Sequence, residues 1–249
     1  GVFNLIDGSK LVLIIKKENK ASEKYEKTDD KTKSKENRIT VQPVTYPNGA
    51  YGNLKLPEAE TLIFKNATVW TNETQGVLKN MDVLVKHGKI SAIGQNLNSK
   101  KARVIDATGK HLTSGIVDEH SHIAAASINE AGQNSSAEVS IEDVVEADDV
   151  DIYRNLSGGV TTIQILHGSA NPIGGRSAII KLKWGMAAED LIYKNSPKFI
   201  KFALGENVKQ SNWGGYSRFP QTRMGVEQMY IDYFLSLIHI SEPTRQEAR

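Results

Sequence analysis

A short apolar strand that ends in two histidines is the feature that most constrains the fold of this chain. Residues 115–122 read GIVDEHSH. Alternate side chains of a strand point to the same face, so Asp118, His120 and His122 share one face at the carboxyl end. In a parallel barrel, active sites lie at that end of the strands. Because neutral imidazole is a favoured ligand of zinc and similar ions, the spacing indicates a metal site.

From Gly115 onward the pattern is typical of parallel β/α architecture, in which continuous apolar strands alternate with helices. The expected strands lie at residues 116–122, 160–166, 177–184 and 199–204. A helix is expected over residues 140–155, with Ser140 as its N-cap, and another within residues 226–234. The strand at 177–184 has a second interpretation, a hairpin within an insertion. The predicted fold class is α/β, with about the first half of a (β/α)8 TIM-like barrel.

A small β unit is expected before the barrel, as a β-sandwich or composite β domain. Its strands are predicted at residues 61–70, 81–85, 89–93 and 104–106. The tripeptide Lys86-His87-Gly88 suits a tight hairpin, so His87 is expected to be a turn residue rather than a ligand. Since four short strands bury little core unaided, we expect this unit to pack against the barrel.

The start of the chain and its composition exclude some classes. Residues 3–15 predict a strand or hairpin, and residues 16–38 are dominated by charged and small polar residues, which predicts a disordered linker. Basic and acidic residues total 31 and 29, so charge gives no reason to expect a nucleic-acid partner. No apolar run approaches the ~20 residues of a membrane span, and the start lacks a signal-peptide pattern. The absence of cysteine excludes disulfides and thiolate metal sites.

Two motifs resemble a known family. VIDATGKHLTSGIVDEHSH at residues 104–122 and GGVTT at residues 158–162 closely resemble the opening of the amidohydrolase superfamily, nearest to its imidazolonepropionase and prolidase-like branch. The resemblance runs over residues 62–234. It implies a metal-dependent hydrolase of carbon–nitrogen bonds in a non-peptide amide, a cyclic amide or a small peptide. One or two divalent ions, with zinc preferred, would lower the pKa of the attacking water.

The resemblance also implies site residues. His120 and His122 match the family's first-strand ligand pair, and Asp118 either orients an imidazole from outside the ligand set or makes ordinary strand-end hydrogen bonds. A middle strand of the family supplies a glutamate or a carbamylated lysine as a further ligand. Here Glu206 and Lys201 are the alternatives, and Glu206 is preferred because it lies just past the strand's carboxyl end.

Two residues near the expected barrel mouth are candidates for substrate binding. His167 follows the second barrel strand, where it either contacts substrate or serves as a hydrogen-bonded loop histidine. Arg176 follows a pair of glycines, and its fork of donors could bind a substrate carboxylate. The alternative for Arg176 is a place on a mobile surface loop.

The last segment has an unusual sequence. Residues 235–245 read LSLIHISEPTR, which resembles the translation of a transposase adapter used in DNA library preparation. We therefore expect residues 235–249 to be non-native, and His239 not to be a ligand. The expected organisation is residues 1–60 as a remnant strand and linker, 61–111 as the small β domain, 112–234 as the first part of the barrel, and 235–249 as the tail.

The family also requires two histidines from later strands and a proton-shuttling aspartate, which do not precede the tail. Because that base is missing, the 249-residue chain is expected to be inactive by itself. Two alternatives to the hydrolase stay open, a non-catalytic binding or scaffold protein and a metal-dependent lactonase or phosphotriesterase. The expected partner is a small-molecule or small-peptide substrate, the source is expected to be bacterial, and the resemblance is compatible with export to the periplasm.

Overall fold

The computed structural model describes residues 2–4, 10–12, 43–212, 214 and 218–241. The chain divides into two units, Gly1–Gln42 and Pro43–Arg249. In the first unit, strands β1 (Val2–Asn4) and β2 (Lys10–Val12) pair antiparallel, which agrees with the predicted hairpin. The predicted disordered linker at residues 16–38 lies outside the described residues.

The second unit begins with a five-stranded sheet. Its strands are β3 (Leu62–Trp70), β4 (Val77–Lys86), β5 (Lys89–Gly94), β6 (Arg103–Asp106) and β7 (His111–Leu112). The order is β5-β4-β3-β6, and β7 also pairs with β3. The four predicted strands are confirmed. His87 and Gly88 form the predicted turn, with φ of 50° and 70°, because a type I′ turn needs two positive φ angles.

A buried carboxylate links the strands of this sheet. Asp82 on β4 is 5% exposed. Its side chain accepts hydrogen bonds from Lys65 Nζ at 2.7 Å, from the Asn66 N–H at 3.0 Å and from the Leu97 N–H at 3.0 Å. The hydrogen bond from Lys65 is the main reason why the pKa of Asp82 lies below its usual value. Three donors thus converge on the carboxylate of Asp82, whose hydrogen bonds link β3 to the segment after β5.

The candidate site belongs to the remaining strands. These are β8 (Ile116–Ser121), β9 (Val160–Ile165), β10 (Ile173–Arg176), β11 (Ala178–Lys181) and β12 (Ile200–Phe202). Strands β8 and β9 pair in parallel, as the first two strands of a β/α barrel do. Strand β11 pairs antiparallel with the other edge of β9, which favours the hairpin interpretation of residues 177–184. Strand β12 pairs antiparallel with β10.

Three helices accompany these strands in the described part of the chain. They are α1 (Val150–Ser157), α2 (Ala188–Leu191) and α3 (Arg223–Ser241), with short 3-10 helices at Ile141–Val144, Glu206–Val208 and Gln210–Asn212. Helix α3 contains the predicted helix at residues 226–234 and continues into the tail, whose adapter origin stays a prediction. None of the helices in these ranges combines the length and the apolar character that crossing a bilayer requires.

The prediction of one helix over residues 140–155 is wrong. Ser140 does cap a helix, since its Oγ accepts a hydrogen bond from the Glu142 N–H at 3.3 Å, but that 3-10 helix ends at Val144. The next residues instead pair with the loop after β8, where the Glu146 N–H donates to the Ala124 carbonyl at 2.9 Å. Asp149 then caps α1. Tertiary pairing therefore overrides the local helical pattern.

The main core of this unit lies between the sheet of β8, β9 and β11 and the helices. Ile163 and Ile165 of β9 and Ile180 of β11 are fully buried against Ile152 of α1 and Leu191 of α2. Each buried aliphatic side chain of this size stabilises the fold by roughly 1.5–3 kcal/mol. This packing fixes β9. Strand β8, whose Ile116 and Val117 are exposed, is held beside it by parallel pairing, and the two histidines lie at its carboxyl end.

Candidate metal centre

The two histidines of the opening motif lie together at the carboxyl end of β8. Their ring centroids are 5.2 Å apart and the ring planes are nearly perpendicular, at 85°. Both side chains are exposed. The structure therefore brings together the two imidazoles that the sequence predicts as metal ligands.

A backbone carbonyl determines which ring nitrogen of His122 carries the hydrogen. The Nδ1 atom of His122 lies 3.0 Å from the carbonyl oxygen of Leu166. A carbonyl oxygen can only accept, so Nδ1 carries the hydrogen and Nε2 presents its lone pair. Desolvation is the main cause that lowers the pKa of His122, which favours the neutral ring that binds metals. Residue type gives no signal for such a backbone partner, so the sequence could not predict this contact.

Lys201 joins the histidine pair from a distant part of the chain. Its side chain is buried, with 9% of the residue exposed. Its Nζ lies 3.4 Å from His120 Nε2. Burial lowers the pKa of Lys201 below its usual value. Lysine is almost never fully buried unless it is paired with another group, and the group that Lys201 contacts here is an imidazole.

Glu206, the preferred middle-strand ligand, has other partners. It begins the 3-10 helix after β12, is exposed, and forms ion pairs with Lys209 and with Arg223 Nη1, the latter at 3.6 Å. Across the described ranges, no three His, Asp or Glu side chains converge as a metal site would require. Of the two alternatives, the structure brings Lys201 to the histidines.

Asp118 contacts the backbone of the motif. Its Oδ1 accepts a hydrogen bond from the His120 N–H at 3.2 Å. The carboxylate thus makes the strand-end hydrogen bond of the second interpretation, and it does not orient an imidazole in this structure.

The structure favours the loop-histidine interpretation of His167 over substrate contact. The residue is 2% exposed. Its Nε2 accepts a hydrogen bond from the Glu130 N–H at 2.7 Å, so the protonated Nδ1 donates to the Gly168 carbonyl at 2.8 Å. A Cβ atom on Gly174 would lie 2.7 Å from Nδ1. His167 therefore connects the loops after β8 and β9, with both ring nitrogens in use.

Arg176 is also held by a loop. It is exposed at the end of β10, and its Nη2 donates to the carbonyl oxygen of Glu138 at 3.0 Å. Within the part of the chain that the structure describes, no hydrogen bond or ion pair joins Arg176 to the histidine pair. Its predicted role in substrate binding has no geometric support here.

Sequence reasoning missed a buried amide beside the site. Asn171 is fully buried, and its Nδ2 donates to Ser136 Oγ at 2.8 Å and to the carbonyl of Glu130 at 3.1 Å. Together with His167, it holds the loop after β8 against the loop after β9. An Asn-Pro pair in a loop predicts a turn, so its sequence context gave no sign of this role.

A small cleft adjoins Lys201. It has a volume of about 190 Å³ and is lined by Ser169 and residues 201–208. The cleft is smaller than the roughly 300–1,000 Å³ of pockets that bind drug-sized molecules. It can hold a small molecule or a single ring next to the candidate ligands.

The donor chemistry of the centre fits a zinc-like ion. His120 and His122 can each offer a neutral nitrogen, and Lys201 lies beside them. Catalytic zinc sites commonly use three protein ligands and keep a further position open. Imidazole suits zinc in particular, so the two histidines match part of such a set. Lys201 can complete it only as an anionic derivative, because a free amine is not among the usual zinc ligands.

No family model matches the chain, but individual relatives do. The amidohydrolase tasK of Hapsidospora irregularis is 31% identical over 198 residues, covering 66% of this chain and 20% of that protein. A crystal structure of an amidohydrolase from Thermotoga maritima MSB8 matches with a TM-score of 0.63 and 37% identity, covering 73% of this chain and 49% of that one. A dihydroorotase from Halalkalibacterium halodurans is 50% identical over 64 residues, which cover 26% of this chain and 14% of that protein.

These similarities show that the chain belongs to the amidohydrolase superfamily. The relatives with more specific names are hydrolases of carbon–nitrogen bonds, among them dihydroorotase and allantoinase. The chain spans about a fifth of the first curated relative and about half of the solved one. The narrower assignment to the imidazolonepropionase and prolidase-like branch stays a prediction.

Proposed function

We propose that the chain contributes the first metal ligands of a hydrolase that cleaves a carbon–nitrogen bond in a small amide. His120, His122 and Lys201 are the proposed ligands. The observation that carries the proposal is the 3.4 Å contact between Lys201 Nζ and His120 Nε2 beside the second imidazole. The divalent ion, most readily zinc, would supply a water of lowered pKa and polarise the amide carbonyl.

Lys201 would serve as its carbamate. Carbon dioxide adds to the neutral amine, so that a bond forms between Nζ and the carbon while one proton leaves Nζ. The product is an anion with two oxygens, and carboxylate-type oxygens are established zinc ligands. His122 would bind through Nε2, because the Leu166 carbonyl holds its Nδ1 hydrogen.

The proposed fold of the site is the opening of a (β/α)8 barrel, with β8 and β9 as its first two strands. The parallel pairing of these strands supports it, as does the position of both histidines at a carboxyl strand end. The proposed substrate class is a cyclic amide. Relatives named dihydroorotase and allantoinase support that class, and the cleft of about 190 Å³ beside Lys201 suits a single ring.

Zinc binding tests the ligand set. We expect His120→Asn and Lys201→Ala each to raise the zinc dissociation constant at least about tenfold, since even outer-shell partners change it that much. Lys198→Ala is the matched control, because Lys198 is exposed and pairs with Glu142. Competition with a chelator measures the affinity, and carbon-13 NMR with labelled bicarbonate should show a carbamate signal that only Lys201→Ala removes. Equal affinities in all four proteins would contradict the proposal and favour a non-catalytic scaffold.

A hydrolysis assay tests the proposed activity of the chain. We propose that the zinc-loaded 249-residue chain is inactive by itself, since the hydrolysis needs a base that shuttles protons and Asp118, beside the motif, is engaged by the backbone N–H of His120. Incubation with dihydroorotate and with allantoin, followed by chromatography, should give no product above that of zinc alone. Turnover that disappears in His120→Asn would overturn the proposed inactivity and support the hydrolase.

A further inference from the structure

Tyr230 of helix α3 reaches a backbone junction next to Lys201. Its hydroxyl donates to the Pro172 carbonyl at 2.5 Å and lies 3.2 Å from the Ala203 N–H, which points toward it. The same Ala203 N–H donates to the Pro172 carbonyl at 2.8 Å. One phenol therefore binds both partners of a backbone hydrogen bond that lies two residues beyond Lys201.

The hydrogen bonds of Tyr230 at this point matter because few backbone pairings hold β12 in place. Strand β12 has three residues, and its pairing with β10 contains a register shift between Ile173 and Arg176. A slip of one residue in a strand turns every side chain to the opposite face. Such a slip would move Lys201 away from His120 and expose its amine elsewhere.

The packing around Tyr230 makes its hydroxyl a fixed point. Its ring lies 5.8 Å from that of Phe202, between centroids. The ring packs against a small cluster of buried residues, Ala203, Val208 and Val226. Met229, the preceding residue of α3, is 1% exposed. The helix is thus anchored, and the hydroxyl has little freedom to leave the junction.

We propose that Tyr230 is a positioning residue that fixes the register of β12 and thereby holds Lys201 beside His120. The inference rests on the proposed function, because it takes Lys201 as a metal ligand. The observation that carries it is the hydroxyl that bridges the Pro172 carbonyl and the Ala203 N–H. Tyr230 touches no reacting atom and acts only through the strand.

The test compares Tyr230→Phe with Tyr233→Phe in the same chain. Tyr233 is a matched control, because it lies on the same helix, is 40% exposed and lines an apolar cavity with Phe202. With labelled bicarbonate and zinc, we expect Tyr230→Phe to weaken the carbamate signal and to raise the zinc dissociation constant about tenfold. Tyr233→Phe should stay within about twofold of the wild type. A purely structural role would lower the melting temperature of Tyr230→Phe without changing the carbamate or zinc affinity of the folded protein, and that result would overturn the inference.

The two proposals fail in different ways. If the wild type binds zinc through Lys201 and Tyr230→Phe behaves identically, the positioning role is wrong and the metal centre stands. If the wild type shows neither zinc binding nor a carbamate, both are wrong. Should Tyr230→Phe not fold, amide hydrogen exchange of the wild type decides. The Ala203 amide should exchange more slowly than that of the exposed Gly205, and equal rates would refute a fixed junction.

Discussion

Replacing Asp82 by Asn should destabilise the five-stranded sheet far more than an exposed aspartate would. The carboxylate is 5% exposed and accepts hydrogen bonds from Lys65, Asn66 and Leu97. An asparagine keeps one accepting oxygen and places an NH2 group where the second oxygen was. At least one of the three donors then faces another donor.

The magnitude follows from these contacts. A buried donor left without a partner costs about 1–3 kcal/mol, and a hydrogen bond to a charged group contributes about 1.5–3 kcal/mol. Lys65 keeps 33% of its side chain exposed, so water compensates part of its loss. We therefore expect the free energy of unfolding to fall by about 2–3 kcal/mol at neutral pH.

The same contacts predict a pH dependence. The pKa of Asp82 is lowered in the folded state, whereas the unfolded value is about 3.9. A depressed folded pKa contributes stability that is fully present above the unfolded value and is lost as pH falls through the folded pKa. The difference between the wild type and Asp82→Asn should therefore shrink steadily as the pH is lowered from about 5.

Urea unfolding followed by tryptophan fluorescence measures both effects, because Trp70 lies on β3 of this sheet. Asp148→Asn is the control, since Asp148 is an exposed aspartate of the same unit. It should unfold close to the wild type at neutral pH. If Asp82→Asn and Asp148→Asn unfold alike, or if the loss in Asp82→Asn is independent of pH, the assignment of Asp82 as a stabilising buried carboxylate is refuted.

Two further substitutions test the packing behind the candidate site. Gly174→Ala would place a Cβ atom 2.7 Å from Nδ1 of the doubly hydrogen-bonded His167, so we expect the free energy of unfolding, measured by thermal unfolding, to fall by about 1–3 kcal/mol. The control is Gly132→Ala, where a Cβ atom meets nothing within 4 Å, and it should unfold like the wild type. Equal losses in both variants would contradict the close approach of Gly174 to His167. Ile163→Ala removes a fully buried side chain and should lower the free energy of unfolding by about 2–5 kcal/mol in a urea titration. Its control is Ile90→Ala, at a residue that is 68% exposed. A similar loss at both positions would mean that β9 does not form the core.

The strands around the opening motif could be predicted because their signals are local. β-branched and aromatic residues predicted β3, and alternating apolar residues predicted β4 and β5. The pair His87-Gly88 predicted the turn between β4 and β5. The spacing of His120 and His122 on one strand predicted that their imidazoles meet. The helix over residues 140–155 failed because Glu146 bonds to Ala124 in the preceding loop, and no local pattern encodes such a partner.

The ligand from β12 depended on a register that local sequence cannot supply. In Ile200–Phe202 the usual pattern would turn the two apolar residues inward and the lysine to solvent. The structure has the opposite, with Lys201 buried and both neighbours more than a third exposed. Ile200 and Phe202 instead line an apolar cavity with Phe234 of α3, so the helix covers the face that would otherwise have to turn inward. A sequence that violates the binary pattern at one position and compensates elsewhere is typical of a functional site. The helix that covers the apolar face also carries Tyr230, so one element both permits the inverted register and holds it.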